Sequence, residues 1–297
     1  MARPPMPEIG YATGAAGDPA GRSVEMAIWY PIEPPHPDRR VAASAAPGGI
    51  RTVPLVLLSH GRGGGKLDHA DTAKALASAG FVAVAPTHPE ADNPPSLTHR
   101  VRDLEAVVAE LRTRPWPGFR IDPRRIGGYG FDLGGATVLA WAAGRSNSSL
   151  ARCHADQASA QRSAAGCRPP QVRALVLAAP TPALSPGVAP WQRVGIPVQL
   201  WHVADDPHSP ESPGAEDLRG ALAVPPDYHR VENATRFVFL AVCREHAGRI
   251  DARCPAPSSF DTPAFHDHFN REVVRFFRAH LMAAPIHPET EGGIADQ

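Results

Sequence analysis

One stretch, Ile126-Gly127-Gly128-Tyr129-Gly130-Phe131-Asp132-Leu133-Gly134-Gly135, sets a carboxylate at the centre of a Gly-x-Asp-x-Gly turn between an apolar strand and an Ala-rich helix. A residue at such a strand-to-helix corner is strained, and its glycine neighbours are needed because larger side chains would clash there. The helix N-terminus that follows favours negative charge beside it. A carboxylate held there is already ionised, so it can attack an electrophile, orient a water or bind a cation without first losing a proton. Proton carriers are plentiful, since the chain has 14 histidines. His88 follows a strand, His202 ends one, and His246 lies between Cys243 and Cys254; each is a candidate general base near neutral pH. His266 and His268 are two residues apart on a helix and do not share a face, so they predict no metal site. The four cysteines fall as Cys153/Cys167 and Cys243/Cys254 without a Cys-x-x-Cys, which suits two local disulfides better than a metal.

The elements that would position these groups follow from periodicity. Ser23 to Tyr30, Val53 to Ser59, Phe81 to Ala85, a short segment entered at Ile126, Val172 to Ala179 and Val198 to Val203 read as strands, with Tyr228 to Val231 a weaker last one. Between them, Leu67 to Ala79 reads as a helix stopped at Gly80. Leu97, Val101, Leu104, Val107, Val108 and Leu111 mark one face of another. A third runs from the Asp132 turn to about Gly144, and Phe265 to Leu281 forms a closing amphipathic helix. Strands alternating with helices over this length predict an α/β fold, a mostly parallel sheet covered on both faces. Residues 145–170 lose the apolar pattern and read as an insertion on the sheet rim, and 282–297 as a polar tail.

Composition narrows the function classes. With 297 residues, 43% of them apolar, the chain can bury a sizeable core and is neither disordered nor collagen-like. Lys+Arg and Asp+Glu are 30 each, and no basic stripe argues for nucleic acid or an anionic membrane. No apolar run approaches the roughly 18 residues of a spanning helix. Met1 to Gly10 lacks a leader pattern, so the chain as it stands reads as soluble and cytoplasmic, or as periplasmic or secreted if a leader has been removed. Disulfides would favour the second case. Oligomeric state stays open.

Taken with the Ser59-His60-Gly61-Arg62-Gly63-Gly64 loop, Arg125-Ile126-Gly127, the segment from Pro197-Val198 to Asp206, and Val231 to Leu240, the elbow gives a resemblance. From about Ile9 to Leu281 the chain resembles the dienelactone hydrolase-like group of α/β-hydrolases, including the platelet-activating-factor acetylhydrolase-like bacterial esterases. The resemblance implies an α/β-hydrolase fold in one domain, 1–281, with a mostly parallel twisted sheet and helices on both faces. It also implies that the family's nucleophile, acid and base, in chain order Ser, Asp, His, fall at Asp132, Asp206 and Arg236. By the same resemblance the backbone amides of Arg62 and Leu133 form the oxyanion hole. His60 would belong to the loop's internal hydrogen bonding, and Cys243 falls where such relatives often carry a cysteine.

Two of the three triad positions have changed, and proton chemistry sets the consequence. A guanidinium with pKa above about 12 cannot take a proton near neutrality, so Arg236 cannot replace histidine. Asp132 could attack without activation, but hydrolysis of the resulting ester still needs a base. The simplest arrangement is an Asp132–Arg236 ion pair, with Asp206 on the far side of the same guanidinium. Three functions remain open: a pseudoenzyme that binds a ligand or partner; a hydrolase of esters, lactones, epoxides or haloalkanes using Asp132 and His202, His88 or His246; or a non-hydrolytic lyase or cyclase. The expected partner is a small molecule, with Arg62 and nearby Lys66 suiting an anionic group. No cofactor is expected.

Overall fold

Period-two and period-3.6 apolar patterns sort the chain into a sheet and the helices on its two faces. In the computed structural model, residues 8–17, 21–32, 51–89, 96–113, 116, 119–144, 172–181, 194–204, 215–241 and 260–282 are described. The strands are β1 (Ile9–Gly17), β2 (Ser23–Pro31), β3 (Arg51–Ser59), β4 (Val82–Pro86), β5 (Phe119–Phe131), β6 (Val172–Ala178), β7 (Val198–Val203) and β8 (Asp227–Val231). The helices are α1 (Ala70–Ser78), α2 (Leu97–Thr113), α3 (Leu133–Ala142), α4 (Ala215–Ala221) and α5 (Thr262–Phe277), with a wider turn over Arg278–Met282. The eight strands lie in the order β1-β2-β4-β3-β5-β6-β7-β8. β2 pairs antiparallel with both β1 and β4, and every other pairing is parallel.

Alternation along the strands divides the core. Leu55 and Leu57 of β3 face Val101, Leu104 and Val107 of α2 and Val138 of α3, whereas Val56 and Leu58 face Leu76 of α1 and Phe269, Val273 and Phe277 of α5. Parallel strands capped by helices on both faces are apolar throughout, which is why residues 53–58 of β3 and the whole of β4 are unbroken apolar runs. Among the described residues no helix is long and apolar enough to cross a membrane.

The structure adjusts the expected elements at several points. β1 is an additional strand that pairs with β2 along its whole length. β5 begins at Phe119 rather than near Ile126, because a register shift between Val53 and Leu55 of β3 lets pairing continue past Pro123. α1 starts at Ala70 and not Leu67, since the Asp68 and Ala70 amides bond Gly65 and Leu67 carbonyls in tight turns first. α5 starts earlier, at Thr262, because the Asp261 side chain accepts the Ala264 amide, 3.0 Å, as an N-cap. α4 and a 3₁₀ turn at Arg236–Phe239 are further additions. The expected rim insertion at 145–170, the residues after Met282 and all four cysteines lie outside the described residues.

Candidate functional site

The C-terminal ends of the parallel strands are where an open α/β sheet presents its loops, and the candidate residues collect there. Asp132 links β5 to α3 with φ 51° and ψ −119°. The corner is tight: a Cβ on Gly130 would lie 2.3 Å from the Gly134 carbonyl oxygen, and one on Gly134 would lie 1.9 Å from that of Ser59. Neither position admits another residue with the backbone as it stands. The Asp132 amide donates to Ala178 at 3.1 Å, and its carbonyl accepts from the amides of Gly135 at 3.0 Å and Thr181 at 3.1 Å. The turn after β6 is itself strained, with Ala179 at φ 41°.

Both oxygens of the Asp132 carboxylate are engaged. Arg236, the first residue of the 3₁₀ turn after β8, donates from Nη1 to Oδ1 at 2.8 Å. Thr181 donates its hydroxyl to the same oxygen and accepts from the same Nη1 at 3.0 Å, closing a triangle. Oδ2 accepts the Arg62 backbone N–H at 3.2 Å. Side chains of Arg236 and Asp132 retain 10% and 17% exposure, so the pair is largely withdrawn from water. Leu133 is buried at the start of α3, whose N-terminus adds positive potential to the same carboxylate. Thus one of the two amides expected to stabilise an oxyanion, that of Arg62, bonds a side-chain carboxylate, and that carboxylate faces a guanidinium, which cannot accept a proton.

The other candidates are dispersed. His88 is buried and bonds Ser59 and Asp103. His202 bonds the Tyr228 hydroxyl at 2.8 Å on the β7–β8 side. Among the described residues no imidazole is hydrogen-bonded to Asp132. Asp206 and His246 lie outside the described residues. His60 makes the expected internal bonds of its loop, with Nδ1 2.7 Å from the Gly61 carbonyl. His266 bonds Asp71, and the His268 ring lies against Trp201. The Arg62 side chain is exposed, but Lys66 is paired with Glu25 across the rim, so the expected cationic pair is left to Arg62.

Thr181 gave no signal in the sequence, since it follows a proline in a loop. A second missed group had one. Arg100 and Asp103 lie on the apolar stripe of α2, in step with Leu97, Leu104 and Val107, and both are buried. A charge at a core position of a helix needs partners there, and theirs lie beneath the Ser59–Arg62 loop.

No family model and no curated protein matches the chain in sequence. Solved structures match it in fold. A dienelactone hydrolase from Anabaena variabilis ATCC 29413 superposes with a TM-score of 0.56 at 14% identity, over 93% of this chain and 99% of that one. A dienelactone hydrolase-like promiscuous phosphotriesterase from metagenomic libraries superposes with a TM-score of 0.58 at 17% identity, over 91% of this chain and 98% of that one. Together with the strand order, these likenesses give the chain an α/β-hydrolase fold of the kind seen in dienelactone hydrolases.

Proposed function

We propose that this chain is a pseudoenzyme on a hydrolase fold, with the former nucleophile and base positions closed by the Asp132–Arg236 ion pair and the pocket serving to bind a small ligand or a partner. The observation that supports it is that both Asp132 oxygens are engaged: Oδ1 accepts from Arg236 and Thr181, and Oδ2 from the Arg62 amide. A carboxylate so held is a weak nucleophile, and among the described residues no imidazole is bonded to it to activate the water that a covalent ester would require. The exposed guanidinium of Arg62 suits an anionic group on the ligand.

One contact favours a second reading, in which Asp132 is the nucleophile of a hydrolase. The Arg62 amide on Oδ2 would equally hold the carbonyl oxygen of an alkyl ester formed through Oδ1. The test is incubation with an aryl ester, an epoxide and a haloalkane, followed by mass analysis of the peptide that contains Asp132. The pseudoenzyme gives no adduct and no turnover; a covalent adduct on Asp132 would transfer the conclusion to the second reading. In the converse experiment, Asp132→Ser with Arg236→His is expected to yield measurable aryl esterase activity. An inactive, folded double variant would mean that the pocket has diverged beyond the triad.

A further inference from the structure

Behind the loop that carries Arg62 lies a second constellation with the residue types of a hydrolase triad. Ser59, the last residue of β3, has its Oγ 2.9 Å from His88 Nε2, and His88 Nδ1 is 3.0 Å from Asp103 Oδ2. Asp103 Oδ1 accepts from Arg22 at 2.8 Å. Ser59 and Asp103 have no exposed surface and His88 has 3%, so no electrophile reaches the serine from solvent. The same residues instead send bonds into the loop. The His88 amide donates to His60 Nε2 at 3.0 Å, and His60 Nδ1 donates to the Gly61 carbonyl. Arg100 donates from Nη2 to the His60 carbonyl and from Nε to Thr137 at 3.1 Å. One residue further along the loop is the Arg62 amide on Asp132.

We propose that Ser59, His88, Asp103 and Arg100 form a positioning relay which, through His60, fixes the Arg62 amide against residue 132, and that the relay holds only while both imidazoles are neutral. It deepens the reading above and rests on it for the place of the site. For His60 neutrality follows from the bond pattern, and for His88 the pattern is that of a neutral Nδ1–H ring. His60 Nε2 faces an N–H, so a proton on it would set two donors against each other. His88 gives its Nδ1 proton to Asp103, and Nε2 is left to accept the Ser59 hydroxyl, whose oxygen lies 3.5 Å from Arg100. The surroundings agree. His60 faces His88, Arg100 and His69, while His88 faces Arg100, Arg22 and Asp103. Burial is the largest influence on both rings, the neighbouring His88 ring and Arg100 add to it at His60, and Arg100 and Arg22 add to it at His88; both rings are held well below the usual histidine range.

The experiment uses the full chain labelled with nitrogen-15 histidine and reads the ring nitrogens by NMR. Both rings are expected as neutral Nδ1–H tautomers at pH 7. A cationic ring or the opposite tautomer on either residue would overturn the proposal without any variant being made. Hydrogen exchange of the 60–66 peptide supplies the positioning test. After correction for intrinsic chemistry, wild-type protection falls as pH drops through the titration of these rings. His88→Gln is expected to lower protection at pH 7 about tenfold, the loss of roughly one buried hydrogen bond, and to flatten its pH dependence. Unchanged protection and pH dependence in that variant would overturn the relay. A fluorophosphonate label found on Ser59 would overturn it differently, by making the serine a nucleophile. Hydrolytic turnover by the wild-type chain would sink the pseudoenzyme reading and leave every one of these readouts in place.

Discussion

Asp132 combines a backbone conformation that side chains rarely adopt with a carboxylate whose two oxygens are both spoken for, so its replacement separates strain from charge. Asp132→Asn keeps the shape but turns one of two acceptor oxygens into an NH2 donor, facing either the Arg62 amide or Arg236 and Thr181, and it removes the charge partner of a largely buried guanidinium. Breaking one side of such a pair costs about 3 kcal/mol, the lower end of the buried range, because 10–17% of these side chains stays in contact with water. Arg236→Met is expected to cost a similar amount, by stranding the carboxylate. The double variant should lose less than the sum, with a coupling of roughly 1–3 kcal/mol measured by urea unfolding of all four proteins. Additive losses would mean that the two charges do not stabilise each other. Asp132 was legible from the turn chemistry, whereas Arg236 was reached only through the resemblance, which places it where a base would stand. Thr181 was reached by neither, because its role arises only from the strained corner after β6 meeting the strained corner after β5.

At the scale of elements, α1 and α5 are joined by more than their apolar faces. Asp71 of α1 accepts from His266 at 2.6 Å and from Asn270 at 2.9 Å, and Thr72 donates to Asn270 at 2.8 Å. Burial would raise the Asp71 carboxyl, but the His266 and Asn270 bonds outweigh it and hold the pKa at about 2. Because the folded value lies below the unfolded one, the stability it brings is complete above about pH 4 and is lost as pH falls toward 2. Its size is roughly 2 kcal/mol. Asp71→Asn is therefore expected to destabilise the protein at pH 7 and to flatten this acid limb in urea titrations at pH 2–5; an unaltered limb would show that the carboxylate contributes nothing there. The apolar faces of these helices were readable from spacing, whereas the polar clamp was not: Asp71 and His266 are 195 residues apart in the chain. β1 escaped notice for a related reason. Its core-facing positions carry small residues because partner side chains fill the space, the Tyr30 ring at Gly10 and Met26 at Gly14, so the apolar alternation is supplied by β2.

For the whole molecule, the parallel α/β layering was written in the alternation of buried runs and amphipathic stripes, yet the polar groups inside those layers were not, since they pair across elements that only the fold brings together. Ser59 and His88 are 29 residues apart, His88 and Asp103 15, and Arg22 and Asp103 81. One global property follows. His60, His69 and His88 are all buried, and burial, the largest influence on each, holds them below the ordinary histidine pKa. Folding therefore keeps three imidazoles neutral that the unfolded chain protonates below about pH 6.5. The sign is fixed by that order: the unfolded state takes up more protons, so stability is greatest above about pH 6.5 and declines as pH falls. Each fully neutral ring contributes a slope of up to about 1.4 kcal/mol per pH unit once the unfolded histidine is charged. Urea unfolding at half-unit steps from pH 7.5 to 5 is expected to show this steepening decline, two pH units before the Asp71 limb begins. His88→Gln should remove up to one proton's worth of slope while leaving the limb below pH 4 intact. A flat profile between pH 7 and 5 in the wild-type protein would mean that these rings already share their protons with solvent in the folded state, and that the buried network does not exclude water as its geometry requires.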